Sequence, residues 1–363
     1  MEDFDKIIQH YFQDFQTITK EESNHIKNNL CYNQQDNSNT LGLKHFKIVD
    51  NKLYNCTLFV KGWESRIEAF KYMMLRTLEK YKINDCEFFM YDDDGINDRN
   101  INKCIYNNKI LPIIVTTSVL NKYNMILCPD FTFSFCPEYF IKNNERMCKK
   151  IVEAQENVNF NNKIDKIVWR GSGNPPYRAQ YLRTDADYDI MSVMNQTTFP
   201  GQKGPALQNK NGLSREQKAN YKYHLHLNGH NGNNVDGAYS SAFKWSLMTK
   251  SVVFYSAPSR YREFWDHPLI FRYNEHYVYS KNPNELHQQL MILKQNPIIS
   301  EKIAYASFDF FKKYLMDYDN ILYYMNKLLS EYEKRMNYKV ELTPDDVLIT
   351  GIEHNDYIFS DTE

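Results

Sequence analysis

The chain has 363 residues, and its 44 Lys and Arg stand against 45 Asp and Glu, a formal net charge of −1. That balance excludes a global field drawing the molecule to nucleic acid or to an anionic membrane. A composition that is 42% hydrophobic and 15% aromatic excludes a disordered chain, and the length accommodates two domains of ordinary size.

Seven cysteines occur without C-x-x-C spacing, which predicts reduced thiols in a cytosol-like compartment. The start, Met1-Glu2-Asp3-Phe4-Asp5, is acidic and lacks an apolar h-region, and no stretch has the apolar length of a transmembrane helix. The expected location is therefore cytoplasmic, the host cytoplasm if the source is viral. Heavy use of Asn, Lys, Ile and Tyr points to an AT-rich genome.

In chain order, residues 1–30 read as an amphipathic helical lead-in, and Asn33–Thr40 as a polar loop. His45–Val49 and Tyr54–Val60 flank Asp50-Asn51-Lys52 as a hairpin. Ile67, Phe70, Met74 and Leu78 recur at helical spacing within Trp63–Lys80. Cys86–Tyr91 and Ile110–Thr116 are strands, so the first part is α/β. The second part repeats the rhythm: strands Ile167–Trp169 and Tyr188–Val193, a polar loop Thr197–Gly212, a helix start at Leu213-Ser214-Arg215-Glu216, and a strand Tyr221–Leu227. A helix Ser240–Thr249, strands Ser251–Ser256 and His276–Tyr279, and helices Pro283–Gln295, Ile298–Leu315 and Asn320–Asn337 follow. The expected division is 1–150, 151–319, a C-terminal helix 320–343 and a peripheral acidic tail 344–363.

Three stretches carry chemistry. Lys166–Arg178 runs from an apolar strand into Arg170-Gly171-Ser172-Gly173-Asn174, which reads either as a turn with a surface arginine or as a phosphate-binding loop. G-x-G alone is too short for a dinucleotide fingerprint. Asp92-Asp93-Asp94 follows a strand, at the end where open α/β sheets bind ligands. One of these carboxylates is placed to take a proton from a hydroxyl; the run also reads as a solvated turn or as an Asp-x-Asp metal site, while its glycine spacing excludes an EF-hand loop. Ser240 or Ser241 reads as a helix N-cap, at a terminus that also suits a pyrophosphate. His224, His226 and His230 read as polar strand-face residues or as a weak zinc set.

The succession W-R-G-S-G-N-P-P-Y-R, L-S-R-E-Q-K-A-N-Y-K-Y-H-L-H-L-N-G, S-S-A-F-K-W-S-L-M-T-K-S-V-V-F, Y-R-E-F-W-D-H-P-L and E-H-Y-V-Y resembles the family 90 glycosyltransferases. That group includes capsule-associated xylosyltransferases and Rumi-type protein O-glucosyltransferases. The resemblance covers roughly residues 85–335. It implies a GT-B fold, two Rossmann-like domains facing a cleft with C-terminal helices packing back toward the first. It also implies an inverting transfer of glucose or xylose from a UDP-sugar to a hydroxyl of a glycan or protein acceptor, with no metal required.

Carried onto this sequence, the resemblance assigns Arg170, Gly171, Ser172, Tyr223, Gly229, Ser240, Ser241, Lys244, Arg262 and Glu263 to the UDP-sugar side. It makes Asp94 the catalytic base, with Asp92 in reserve. Two departures stand out: Ala242 replaces an arginine that faces the diphosphate, leaving Arg170, Lys244, Arg260 or Arg262 to meet that charge, and a Gly- and Asn-rich segment, His230–Asp236, is inserted after Gly229. The alternatives are a non-catalytic nucleotide- or glycan-binding relative and a metal-dependent glycosyltransferase using Asp92 and Asp94.

Overall fold

The computed structural model describes residues 1–31, 41–57, 64–91, 96, 100–119, 124–134, 144–172, 176–194, 212–229, 240–258 and 260–351. The chain divides into two compact units. One comprises Met1–Asn144, Arg262–Leu269 and Tyr318–Glu363, the other Glu145–Tyr261 and Ile270–Asp317.

In the first unit, helices Glu2–Phe12 (α1) and Lys20–Asn29 (α2) precede strands Lys44–Val49 (β1) and Lys52–Asn55 (β2). Phe4, Ile7, Ile8, Tyr11 and Phe12 bury one face of α1, as their spacing requires. Thr19 and Glu22 close a capping box that starts α2. Asp50 and Asn51 take positive φ values of 51° and 58°, the two left-handed residues of a tight hairpin turn. Helix Glu64–Lys80 (α3) and strand Cys86–Tyr91 (β3) follow, then the hairpin Ile105–Tyr106 (β4) and Lys109–Ile110 (β5), and strands Ile113–Val115 (β6), Ser118–Val119 (β7) and Ile126–Leu127 (β8). The single strand expected over Ile110–Thr116 is thus two, divided at Pro112, which has no N–H for a ladder. β1 pairs antiparallel with β2 and β3, and β3, β6 and β8 run parallel.

In the second unit, helix Asn144–Glu156 (α4) leads to strand Ile164–Ser172 (β9), the short helix Pro176–Ala179 (α5), and strands Arg183–Thr184 (β10) and Tyr188–Met194 (β11). Helix Arg215–Lys218 (α6), strand Tyr221–His226 (β12), helix Ala242–Leu247 (α7) and strand Val252–Ser256 (β13) come next. After Tyr261–Arg262 (β14), where the chain passes between units, come strand Val278–Ser280 (β15) and helices Pro283–Gln295 (α8) and Pro297–Tyr314 (α9). The sheet order is β10-β11-β9-β12-β13-β15. Apart from the antiparallel edge strand β10 all pairs are parallel. Counting the parallel strands along the chain, this is the doubly wound order 2-1-3-4-5, whose topological switch point falls between β9 and β12.

Alternation along β12 and β13 sorts the two faces. Tyr223, Leu225, Val252 and Phe254 enter a core with Leu286, Leu290, Ile303 and Ala304 of α8 and α9. His224 and His226 turn the other way, toward α6 and α7.

Helix Tyr318–Glu333 (α10) belongs to the first unit. It packs on α1, α3 and β3, and its Tyr324 and Tyr332 hydroxyls donate to the carbonyls of Leu127 (2.7 Å) and Pro112 (2.8 Å). Of the C-terminal helices it alone packs in the first unit, while α8 and α9 cover the second unit's sheet. The tail is not peripheral at its start: strand Val347–Leu348 (β16) pairs with β2, and Asp346 forms a 2.7 Å ion pair with the buried Lys47. A hydrophobic strand edge and a buried cation both needed a partner there. Among the described residues no helix is long and apolar enough to cross a membrane.

Candidate functional site

The switch point of the second unit gathers polar side chains at the carboxyl ends of β9 and β12. Asn228, just beyond β12, is fully buried. Its carbonyl accepts hydrogen bonds from the Tyr177 hydroxyl and from Nε (2.8 Å) and Nη2 of Arg178. Its side-chain Oδ1 accepts from the Tyr255 hydroxyl, which in turn accepts from the Tyr261 amide at 3.1 Å. Asn228 therefore ties α5, β12 and β13 together where the sheet ends. Burial pushes the Tyr177 phenol up to about 12, so it remains a donor at neutral pH.

Trp169 fixes this corner from β9. Its indole lies 5.5 Å from the Arg178 guanidinium, a cation–π contact. The same ring closes over Gly171: a Cβ there would stand 2.6 Å from Trp169 Cζ2. Arg170-Gly171-Ser172 is the end of β9 and not the loop expected after Trp169, and its glycine is thus demanded by the indole two residues before it.

Arg170 turns to the opposite face. Its Nη2 pairs with Asp189 Oδ1 at 2.7 Å, and its Nη1 donates to the carbonyls of Asp189 (2.6 Å) and Trp169 (2.9 Å). Asp189 also accepts from the Tyr221 hydroxyl at 2.6 Å. Burial and this carboxylate push the Tyr221 phenol up to about 12. Ser172 ends β9, opposite a register shift in β11.

Tyr223 lies in the core, edge-on to Phe160 and Phe254 at 6.2 Å each, and not at the strand end. Gly229 follows Asn228 at the switch point. Ser240 and Ser241 precede α7, which spans six residues; Ser241 is its N-cap and makes no side-chain cap. Lys244 is fully buried, 5.0 Å from the Trp245 ring.

Of Arg260 and Arg262, both suggested with Arg170 and Lys244 for the charge missing at Ala242, Arg260 is the one beside α7. Its guanidinium lies 4.5 Å from the Tyr277 ring and 5.8 Å from the Tyr255 ring, and both rings touch Phe243 of α7. Arg262 lies in the first unit, 5.2 Å from the Tyr11 ring, and Glu263 beside it is also in that unit and buried.

His224 and His226 are both buried, and burial brings each down to about 3; both rings are neutral at physiological pH. His224 Nε2 donates to the Lys218 carbonyl at 2.8 Å, a structural bond. His230 lies outside the described residues, and among those described no three His, Cys, Asp or Glu gather into a metal-sized group.

In the first unit, Asp92 and Asp94 lie outside the described residues. The strand before them is placed: β3 is buried throughout and ends at Tyr91, which accepts from Asn100 Nδ2 at 3.1 Å. The same carboxyl end of the parallel strands carries Thr116 and Thr117 after β6 and the buried Asp130 after β8.

Sequence reading missed Asp189, Arg178 and Asn228. Asp189 had a signal: a carboxylate between Tyr188 and Ile190 on a mostly apolar strand needs a cation. Asn228, the polar residue between a buried strand and a glycine, also had one.

The family model described as Glycosyl transferase family 90 matches residues 10–353 of the chain. Among curated proteins, none matches it.

Proposed function

The chain belongs to glycosyl transferase family 90, and from this premise we propose that it transfers glucose or xylose from a UDP-sugar to a hydroxyl of a glycan or protein acceptor, with inversion. The fold class that goes with this reading is GT-B. The observation that carries it is the doubly wound sheet of the second unit, whose switch point presents Gly171, Asn228 and Gly229 with Arg178 and Arg260 close by. Phosphates bind where backbone and guanidinium groups converge beyond the strand ends.

In this reading the diphosphate lies at the switch point, against the backbone around Gly171 and Gly229. Arg178 and Arg260 supply fixed positive charge for the departing UDP. Arg170 acts chiefly through Asp189, holding β9 against β11 so that Gly171 keeps its place near the end of the strand. Asp94, beyond β3, takes the acceptor proton, with Asp92 in reserve. No metal is required, because guanidinium charge does the neutralising.

Ala242 favours a second reading, a nucleotide- or glycan-binding relative without transfer. A screen of UDP-sugars for binding, hydrolysis and transfer, with and without EDTA, separates the readings. Turnover that survives EDTA supports the first, binding without turnover the second, and turnover abolished by EDTA a metal-dependent enzyme. No response to any UDP-sugar refutes the donor assignment.

A further inference from the structure

Tyr255 lies on β13, buried, and stands beside His226 in the parallel register with β12. Phe243 of α7 packs edge-on against its ring at 5.0 Å, and the His226 ring lies 4.6 Å away. A phenylalanine ring would fill the same space. The hydroxyl is what needs a reason, since burying one costs free energy unless it is hydrogen-bonded.

That hydroxyl is used twice. An amide N–H can only donate, so the hydroxyl accepts from the Tyr261 amide at 3.1 Å and sends its own hydrogen to Asn228 Oδ1. The two partners belong to different segments. Asn228 follows β12 at the switch point, and Tyr261 is the last residue of the second unit before the chain passes to the first. Asn228 is fully buried, and its carbonyl is held at the same time by the Tyr177 hydroxyl and by Arg178. Side chain and main chain of this one residue are therefore fixed from two directions. Because a trans peptide is planar, holding the carbonyl also fixes the direction of the Gly229 N–H.

Resting on the donor assignment above, we propose that Tyr255 is a positioning residue for the nucleoside diphosphate: its hydroxyl locks Asn228, so that the Asn228-Gly229 peptide meets the phosphates in one preset orientation. Tyr255 acts through Asn228 and not on the donor itself. A backbone already held in the bound geometry spares the cost of ordering it on binding. It also keeps its place while charge grows on the departing phosphate.

The test measures UDP binding by calorimetry, and thermal unfolding, for the full chain, for Tyr255→Phe and for Tyr181→Phe. Tyr255→Phe keeps the ring and its packing. Tyr181→Phe removes another buried hydroxyl at the same end of the sheet, one that accepts from Ser256 Oγ at 3.0 Å and takes no part in the Asn228 bonds. Tyr255→Phe is expected to weaken UDP binding about tenfold, the scale of one hydrogen bond. Tyr181→Phe should leave UDP binding within about twofold. Both variants should lose thermal stability, a split that a merely structural role would not give. In an Asn228→Ala background, Tyr255→Phe should change UDP affinity by less than about twofold, because the residue it acts through is gone. Unchanged UDP binding in Tyr255→Phe, equal weakening by Tyr181→Phe, or an undiminished effect in the Asn228→Ala background overturns the role of Tyr255 and leaves the donor assignment standing. If Asn228→Ala does not fold, the two phenylalanine variants decide alone. Failure of the unmodified chain to bind UDP overturns both.

Discussion

The Arg170 guanidinium is clamped by Asp189 through both its carboxylate and its carbonyl, with the two side chains only 8% and 16% exposed. Breaking such a pair leaves an uncompensated, largely buried charge. Asp189→Ala is expected to destabilise the protein by about 3 kcal/mol, and Arg170→Ala by a similar amount. The double variant should lose clearly less than the sum of the two. Urea unfolding of the four proteins checks this, and strict additivity would show that the pair is not coupled.

Gly171→Ala places a methyl group against the Trp169 indole. The strand or the ring must shift, at a cost of about 1–3 kcal/mol. In a Trp169→Leu background the same substitution should cost much less. Thermal unfolding of the two pairs distinguishes steric conflict with the indole from a requirement for glycine's backbone freedom.

Arg260→Ala should weaken UDP binding or lower turnover by about 10²–10³, the usual effect of removing one electrostatic donor. Arg262→Ala should act mainly on stability, since that guanidinium stacks on Tyr11 within the first unit. Titrating both variants with UDP gives the comparison; a larger loss from Arg262→Ala would reverse the assignment.

Asp94→Asn should reduce transfer by about 10²–10⁴, the range for a general base, while the Kd for UDP changes less than twofold. Asp92→Asn serves as the comparison. Near-normal turnover by Asp94→Asn with loss in Asp92→Asn would move the role to the reserve residue.

His224 and His226 make stability depend on pH. Each folded value, about 3, lies below the unfolded value of about 6.5. Between these limits the unfolded chain binds more protons, so stability is complete above about pH 6.5 and falls as pH drops toward 3. The slope is about 1.4 kcal/mol per pH unit for each histidine. Urea unfolding at pH 7.5, 6 and 5 should show the decline begin near 6.5, with a shallower slope in His226→Phe.

Much of the framework was legible in the sequence because it rests on local rules. The buried run Cys86–Tyr91, the alternation of Tyr221–His226 and the helix Pro283–Gln295, which opens on a proline, are set by side-chain periodicity and turn chemistry. The order of motifs fixed the family, because five degenerate patterns at workable spacing constrain one another. The same motifs named Gly171 and Gly229, which stand near the ends of β9 and β12.

What only the tertiary structure decided are relations between segments far apart in the chain. Tyr223 reads as a site residue by motif, but strand alternation together with α8 and α9 sends it into the core. Arg170 reads as a free phosphate ligand until β11 brings Asp189 beside it. Arg260 and Arg262 stand two residues apart, yet the chain passes between units there, so one stacks on Tyr277 and the other on Tyr11. Sequence fixes which residues are available and what each is next to along the chain. Which cation meets which carboxylate, ring or phosphate depends on strand order and packing, and those are settled by burial and pairing over long sequence separations.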